Sequence, residues 1–189
     1  MPQPTHPKAP RPCPPLAPLL TAGDALPAYA ELHCRSNFSF LTGASHPQEL
    51  VARAAQLGYT AIAITDECSV AGVVRAHEEA KRQAEAGSAI QLIVGSEFTQ
   101  ESEKGEPGCR LVLLAHNREG YANLCDLITR ARLRSEKGSY RATTADVADG
   151  LPDCTALLIP RRDDTPETLL AQAQWLQRTF GERAAIAVE

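Results

Sequence analysis

The feature that most constrains the fold of this chain is a regular alternation of short apolar segments with longer amphipathic segments, which begins at Tyr29. The short segments are nearly continuous in apolar residues, as in YTAIAITD (59–66) and CRLVLLAH (109–116). Such segments are typical of strands that are buried on both faces of a sheet. The longer segments, such as SVAGVVRAHEEAKRQAEAG (69–87), are typical of helices. The alternation predicts an α/β fold in which helices cover a parallel sheet.

Six strands and four helices are predicted in this way. The first helix is expected to begin after Ser45 and the second after Ser69, because a serine hydroxyl caps the free N–H groups of a first helical turn. The predicted strands are 29–34, 59–66, 90–98, 109–116, 155–160 and 183–189. The predicted helices are 46–58, 69–87, 117–136 and 165–180.

The amino-terminal segment, residues 1–28, differs in texture from the rest of the chain. It holds nine of the 14 prolines and few large apolar residues. Proline fixes φ and removes a backbone hydrogen-bond donor, so a packed element is not expected there. We therefore predict a disordered leader at 1–28 and one folded domain at 29–189.

The composition is that of an ordinary globular protein and excludes several classes. The net charge of −4 gives no basic excess for a main DNA-binding surface. No apolar segment reaches the roughly 18 residues that span a bilayer, so no membrane partner is expected. The six cysteines form no CxxC pair, which predicts free thiols rather than a zinc ribbon or a disulfide framework. A cytoplasmic location is the expectation.

Side chains able to bind a metal follow four of the predicted strands. They are His33, the pair Asp66 and Glu67, Glu97, and His116. In parallel α/β folds the carboxyl ends of the strands meet at one edge of the sheet, where functional groups gather. The sequence therefore predicts one shared site, whether active or ancestral.

Three blocks of sequence carry a resemblance to a known family. They are LHCRSNFSFLTGASHPQELVARAAQLGYTAIAITDECSVAGVVRAH (32–77), IVGSEF (93–98) and LVLLAHNREGYANLCDLIT (111–129). Together they resemble the polymerase-and-histidinol-phosphatase (PHP) domain at the amino terminus of C-family bacterial DNA polymerases, and within that family the error-prone branch. The resemblance implies a distorted (β/α)7-type barrel of parallel strands. With six strands visible, the chain is expected to be the amino-terminal part of such a barrel, truncated before closure.

The family's metal-dependent members bind up to three metal ions through histidine and carboxylate ligands. By resemblance, four positions of this chain keep suitable ligands, and three are altered. The four retained positions are His33, Asp66, Glu97 and His116. The altered positions are Arg35, where the family has a second histidine, Thr42, where members often have an acid, and Glu67, where phosphatase-type members have a histidine.

Arg35 is the substitution that weighs most against a working metal site. A guanidinium is permanently protonated and cannot bind a cation. It can instead pair bidentately with a carboxylate, such as that of Glu97 or Glu67. We therefore predict that Arg35 substitutes for metal and that the site is vestigial, holding no divalent ion or only a residual one.

The function implied by the resemblance belongs to a longer enzyme. That enzyme would be an error-prone, damage-tolerant DNA polymerase, a nucleotidyltransferase of DNA replication and repair that uses Mg²⁺ at a site outside this chain. DNA and deoxynucleotides would bind to domains not present here, and other DNA-damage-response proteins would be further partners. No catalytic residue is expected in this chain, whose role would be structural, packed against its own polymerase core.

Two other functions remain open from the sequence. The first is an active metal-dependent phosphoesterase or 3′–5′ exonuclease, which the four retained ligands favour and which Arg35 and Thr42 oppose. The second is a separate small-molecule phosphatase, which the polymerase-like segment NREGYANLCDLI (117–128) opposes. The length of the open reading frame beyond Glu189 would separate a polymerase from a phosphatase.

Overall fold

The computed structural model describes residues 28–88, 90–102 and 108–188. The predicted disordered leader lies outside these residues, apart from residue 28. The described strands are β1 (Ala30–Cys34), β2 (Ala61–Ile64), β3 (Gln91–Glu101), β4 (Arg110–Ala115), β5 (Ala142–Thr143), β6 (Cys154–Leu158) and β7 (Ala184–Ile186). The described α-helices are α1 (Pro47–Gln56), α2 (Val73–Glu85), α3 (Arg118–Leu133) and α4 (Pro166–Phe180).

The strands form one mixed sheet in the order β1-β2-β3-β4-β6-β7, with β5 beside the end of β3. The pairs β1–β2, β2–β3 and β6–β7 are parallel, as predicted. The pairs β3–β4 and β4–β6 are antiparallel, so the prediction of a wholly parallel sheet is wrong for β4. A parallel connection needs a crossover of about a dozen residues or more, and the segment between β3 and β4 is shorter.

All four helices pack on one face of this sheet. Alternate residues of each strand point to opposite faces, and the outward residues Ile62, Ile64, Leu111 and Leu113 contact the helices. The other face carries a separate apolar cluster to which no described helix contributes. That cluster consists of Ala63, Val112, Leu114, Leu157 and Ile159.

Both predicted helix starts differ in detail from the structure. The first helix begins after His46 rather than Ser45, and at this start the backbone N–H of His46 donates to Glu49 Oε2 at 2.8 Å. The second helix starts later, after Gly72. Ser69 lies before it and caps nothing, since its hydroxyl accepts the N–H of Ala71 within the preceding turn.

Strand β5 was not predicted, since two residues are too few to form a hydrophobic pattern. It pairs in parallel with the last two residues of β3, Gln100 and Glu101. Among the described residues, none of the helices combines the length and hydropathy that crossing a bilayer requires.

Two leucines of α3 give a matched test of this packing. Leu127 is 1% exposed within the helix-facing core, whereas Leu133 is 81% exposed at the end of the same helix. We expect Leu127→Ala to lower the free energy of unfolding by about 2–5 kcal/mol, because it leaves a cavity. The same change at Leu133 should cost less than about 0.5 kcal/mol. Urea denaturation measures both values, and equal effects would contradict the assigned face of α3.

Candidate functional site

The centre of the candidate site is the carboxylate of Glu97, whose side chain is only 1% exposed. Arg35 binds both of its oxygens, with Nε donating to Oε2 at 2.6 Å and Nη2 donating to Oε1. Arg110 approaches from the other side, with Nε donating to Oε1 and Nη2 lying 3.3 Å from Oε2. His33 Nε2 lies 2.7 Å from Oε2. These four residues are called the Glu97 cluster below.

The strand register explains how these residues meet. Glu97 lies directly opposite Val112 in the β3–β4 pair, so both point to the face of the sheet without helices. Arg110 is two residues from Val112, which places it on the same face and diagonal to Glu97. His33 and Arg35 come from the end of β1 and the residue just beyond it. Three strands therefore supply one cluster.

Arg110 is a member of the cluster that the sequence did not reveal. It begins the apolar strand β4, where it would be taken as an ordinary residue at the edge of a turn. Its approach to Glu97 depends on the antiparallel register of β3 and β4, which the alternation of apolar residues does not encode. Only the tertiary pairing shows its role.

The electrostatics of the cluster keep Glu97 ionised. Burial alone would raise the pKa of this carboxyl group. The hydrogen bonds from His33, Arg110 and Arg35, together with the charge of Arg35, outweigh that effect and lower the pKa from 4.5 to about 2. The carboxylate is therefore charged at neutral pH and is neutralised by the two guanidinium groups.

This arrangement does not fit a bound metal cluster. The Glu97 cluster contains only one carboxylate and one imidazole that could bind a metal, and these two groups are hydrogen-bonded to each other. The two guanidinium groups that share the carboxylate oxygens can only donate hydrogen bonds. Within the ranges that the structure describes, no group of three or more histidine, cysteine, aspartate or glutamate side chains could hold a metal ion.

Asp66, a retained position, has a different set of partners. Its side chain is fully buried and accepts three hydrogen bonds from the segment that follows β1. The donors are the backbone N–H of Ser36 at 2.8 Å, the Ser36 hydroxyl at 2.7 Å and the Ser39 hydroxyl at 2.7 Å. Asp66 therefore anchors a loop, and its oxygens are occupied by that role.

The altered positions Glu67 and Thr42 also have local partners. Glu67 Oε1 accepts the hydroxyl of Tyr140 at 2.9 Å, and Thr42 Oγ1 donates to the carbonyl of Ser39 at 3.1 Å. Of the two carboxylates named as possible partners of Arg35, the structure pairs it with Glu97. Neither Glu67 nor Thr42 joins the Glu97 cluster.

His116 follows the carboxyl end of β4, at the opposite end of the strands from the Glu97 cluster. Because β4 is antiparallel to β3, its carboxyl end lies beside the amino end of β3. There His116 Nε2 lies 2.6 Å from Thr155 Oγ1, and the His116 N–H donates to the carbonyl of Asp153. The structure therefore does not bring His116 to the edge that it was predicted to share with His33 and Glu97.

Cys34 and Cys68, which are next to Arg35 and Glu67 in the sequence, are not activated as nucleophiles. Burial, with smaller contributions from Glu31 and Asp66, raises the pKa of Cys34 to about 11. Burial likewise raises the pKa of Cys68 to about 11, against the opposing effect of Arg132. Both are thiols rather than thiolates at neutral pH, so neither is a nucleophile of the kind that catalysis needs.

Comparison with known proteins identifies the family. A family model of the PHP domain matches residues 31–187, and the chain therefore belongs to the PHP-domain family. A solved structure of an amidohydrolase from Chromobacterium violaceum, which holds sulfate and no metal, has a TM-score of 0.58 at 17% identity over 84% of this chain and 76% of that one. This likeness confirms the fold class that the sequence predicted.

Two curated relatives define the branch of the family. The chain is 56% identical over 173 residues to an error-prone DNA polymerase of Ralstonia nicotianae, a match that covers 87% of this chain. It is 52% identical over 172 residues to an error-prone DNA polymerase of Bordetella parapertussis, a match that covers 86% of this chain. These matches span 16% of the length of each relative. The resemblance to the PHP domain of error-prone polymerases is thus confirmed.

Two glutamates of β3 test the importance of the Glu97 cluster. Glu97→Gln removes the buried negative charge that separates two partly buried guanidinium groups, and we expect it to lower the free energy of unfolding by about 3–5 kcal/mol. The matched change Glu101→Gln affects an ion pair with Arg141 in which both side chains are more than half exposed, and it should cost less than about 1 kcal/mol. Urea denaturation at pH 7 compares them, and equal losses would contradict a central role for Glu97.

The low pKa of Glu97 predicts a specific acid sensitivity. Ionised Glu97 stabilises the fold fully above its unfolded pKa of 4.5, and this contribution is lost as the pH falls towards the folded pKa of about 2. Its size is on the order of 3 kcal/mol. The difference in unfolding free energy between the wild type and Glu97→Gln should therefore shrink between pH 5 and pH 3. A difference that stays constant over that range would disprove the shift.

Proposed function

We propose that the chain is the amino-terminal PHP region of an error-prone DNA polymerase, and that it acts within that enzyme as a structural unit rather than as a hydrolase. The first part of the proposal rests on the match of most of this chain to error-prone DNA polymerases at more than half identity. The second part rests on one observation, the bidentate pairing of Arg35 with Glu97.

The pairing supports a structural role because of where the positive charge lies. In metal-dependent members of the family, cations hold the converging ligands together. Here the guanidinium groups of Arg35 and Arg110 supply positive charge to the buried carboxylate. A metal ion placed beside them would be repelled by two fixed charges at a cost of several kcal/mol. We infer that the arginines take the place of metal.

The whole enzyme would add nucleotides to a primer in the order set by a DNA template, including across damaged bases. Its Mg²⁺ ions would bind to catalytic carboxylates of a polymerase domain outside this chain. DNA and deoxynucleotides would also bind to domains outside this chain. The proposal also includes a part in DNA repair, a cytoplasmic location and contacts with other damage-response proteins. These properties go beyond the name 'error-prone DNA polymerase' that the relatives carry. The region described here would stabilise the polymerase core by packing against it.

The rival function, a metal-dependent phosphoesterase or 3′–5′ exonuclease, is less well supported by the geometry. The four retained ligand positions do not converge on one point. His33 and Glu97 lie together with two arginines, Asp66 anchors a loop, and His116 lies at the other edge of the sheet. A separate small-molecule phosphatase is disfavoured by the names of the relatives.

The test uses the full-length protein, purified without chelator, in two forms. The unaltered enzyme should extend a primed template when Mg²⁺ and deoxynucleotides are supplied. A form whose polymerase carboxylates have been mutated should contain no zinc, manganese or iron above the buffer background by elemental mass spectrometry. It should also leave a labelled primer uncut.

Each part of the proposal has its own contrary result. Absence of primer extension would disprove the polymerase assignment. Two or three equivalents of metal, lost on mutation of Glu97 or His116, would disprove the structural role and favour the exonuclease. A gain of metal in Arg35→His, absent from the wild type, would support replacement of metal by arginine.

A further inference from the structure

The loop between β1 and α1 exposes more apolar surface than its surroundings explain. This β1–α1 loop (residues 35–46) places Phe40 at 84% exposure and Leu41 at 89%. Phe38 is half-buried beneath the guanidinium of Arg75 at 5.7 Å. Adjacent exposed aromatic and aliphatic side chains of this kind mark a surface that another element covers. Phe40 and Leu41 are called the knob below.

The knob is held in place by a rigid framework rather than by a flexible turn. The buried carboxylate of Asp66 binds Ser36 and Ser39 at the base of the loop. The N–H of Gly43 closes the turn on the carbonyl of Ser39 at 2.9 Å. A Cβ atom at Gly43 would lie 1.9 Å from the carbonyl oxygen of Ser36, so only glycine allows this close approach.

The backbone of Leu41 supports a functional reading of the loop. Its φ of +65° lies in the left-handed region, which is unfavourable for leucine. Unfavourable backbone conformations persist where the surrounding structure enforces them, and they gather at binding sites. Leu41 and its neighbour Phe40 are both exposed at this tip of the loop.

A hollow of about 460 Å³ lies beside the knob. It is bounded by Phe38 and Phe40 on one side and by Arg132, Ser139 and Tyr140 on the other. The guanidinium of Arg132 already donates to nearby backbone carbonyls, and the Tyr140 hydroxyl donates to a carboxylate. The polar groups of the hollow are therefore engaged, and the apolar knob is the feature that needs a partner.

We propose that the knob docks into an apolar pocket of the same polypeptide, in the part that lies beyond residue 189. This inference rests on the proposed function, since it requires a longer polymerase chain. The matched relatives are about six times as long as the segment that they share with this chain. A pocket on the same polypeptide is present at high effective concentration, which lowers the affinity that the contact itself must supply.

The charge of the loop favours a protein partner over DNA. Residues 36–45 contain no charged side chain. Nucleic acids are bound chiefly through lysine and arginine contacts to phosphates. Residues 36–45 supply none, and the guanidinium of Arg35, at the start of the loop, is paired with Glu97. An uncharged tip with a rigid aromatic anchor is instead typical of the centre of a protein interface. Binding to DNA or to a second copy of the chain becomes an outcome of the test.

The test places a photoreactive benzophenone amino acid at position 40 of the full-length protein, in the presence of primed DNA. The control places the same group at position 133, because Leu133 is similarly exposed but lies on α3. Irradiation should join position 40 to a peptide beyond residue 189 of the same chain. Cross-links only to DNA, only to a second copy, equally from position 133, or to nothing would each overturn the proposal.

A second measurement does not depend on the cross-linker. In Phe40→Ser/Leu41→Ser, the amides of the partner peptide should exchange hydrogen at least about tenfold faster, as expected when an interface anchor is lost. The control Leu133→Ser/Leu170→Ser alters two exposed apolar side chains elsewhere and should change nothing there. Unchanged exchange in both variants would overturn the docking site. It would leave the proposed function intact, because that function fails by metal content or by absence of primer extension.

Discussion

The described structure depends on one buried carboxylate. Glu97 lies in the middle of the longest strand, and hydrogen bonds from Arg35, Arg110 and His33 tie β1 and β4 to β3 through it. A buried charge is costly unless partners satisfy it, and these three contacts satisfy the carboxylate of Glu97. Loss of Glu97 itself would leave the guanidinium groups of Arg35 and Arg110 facing each other with no anion between them.

Three of the positions that the family resemblance singled out as retained or altered metal ligands make internal hydrogen bonds here. Asp66 has become the anchor of the β1–α1 loop, Glu67 binds Tyr140, and His116 binds Thr155. These contacts, like the pairing of Arg35 with Glu97, engage the side chains within the fold. Each of these side chains has its partner in a separate part of the fold, and this supports our proposal that the domain is structural.

The direction of β4 decides much of this arrangement. By running antiparallel to β3, it places Arg110 beside Glu97 and removes His116 to the far edge of the sheet. A parallel β4 would have done the opposite and brought a histidine to the carboxylate. All four described helices lie on one face of the sheet, and the Glu97 cluster lies on the other.

The sequence by itself determined the α/β class, the helices and six of the seven described strands, because hydrophobic period and length are local properties. It also identified the family and the unusual Arg35. The direction of β4, the contact of Arg110 with Glu97 and the separation of His116 depended on tertiary structure. Strands buried on both faces have the same apolar pattern in either direction, and only pairing distinguishes them. Likewise, the role of Asp66 as an anchor rather than a ligand depends on where Ser36 and Ser39 fold back upon it.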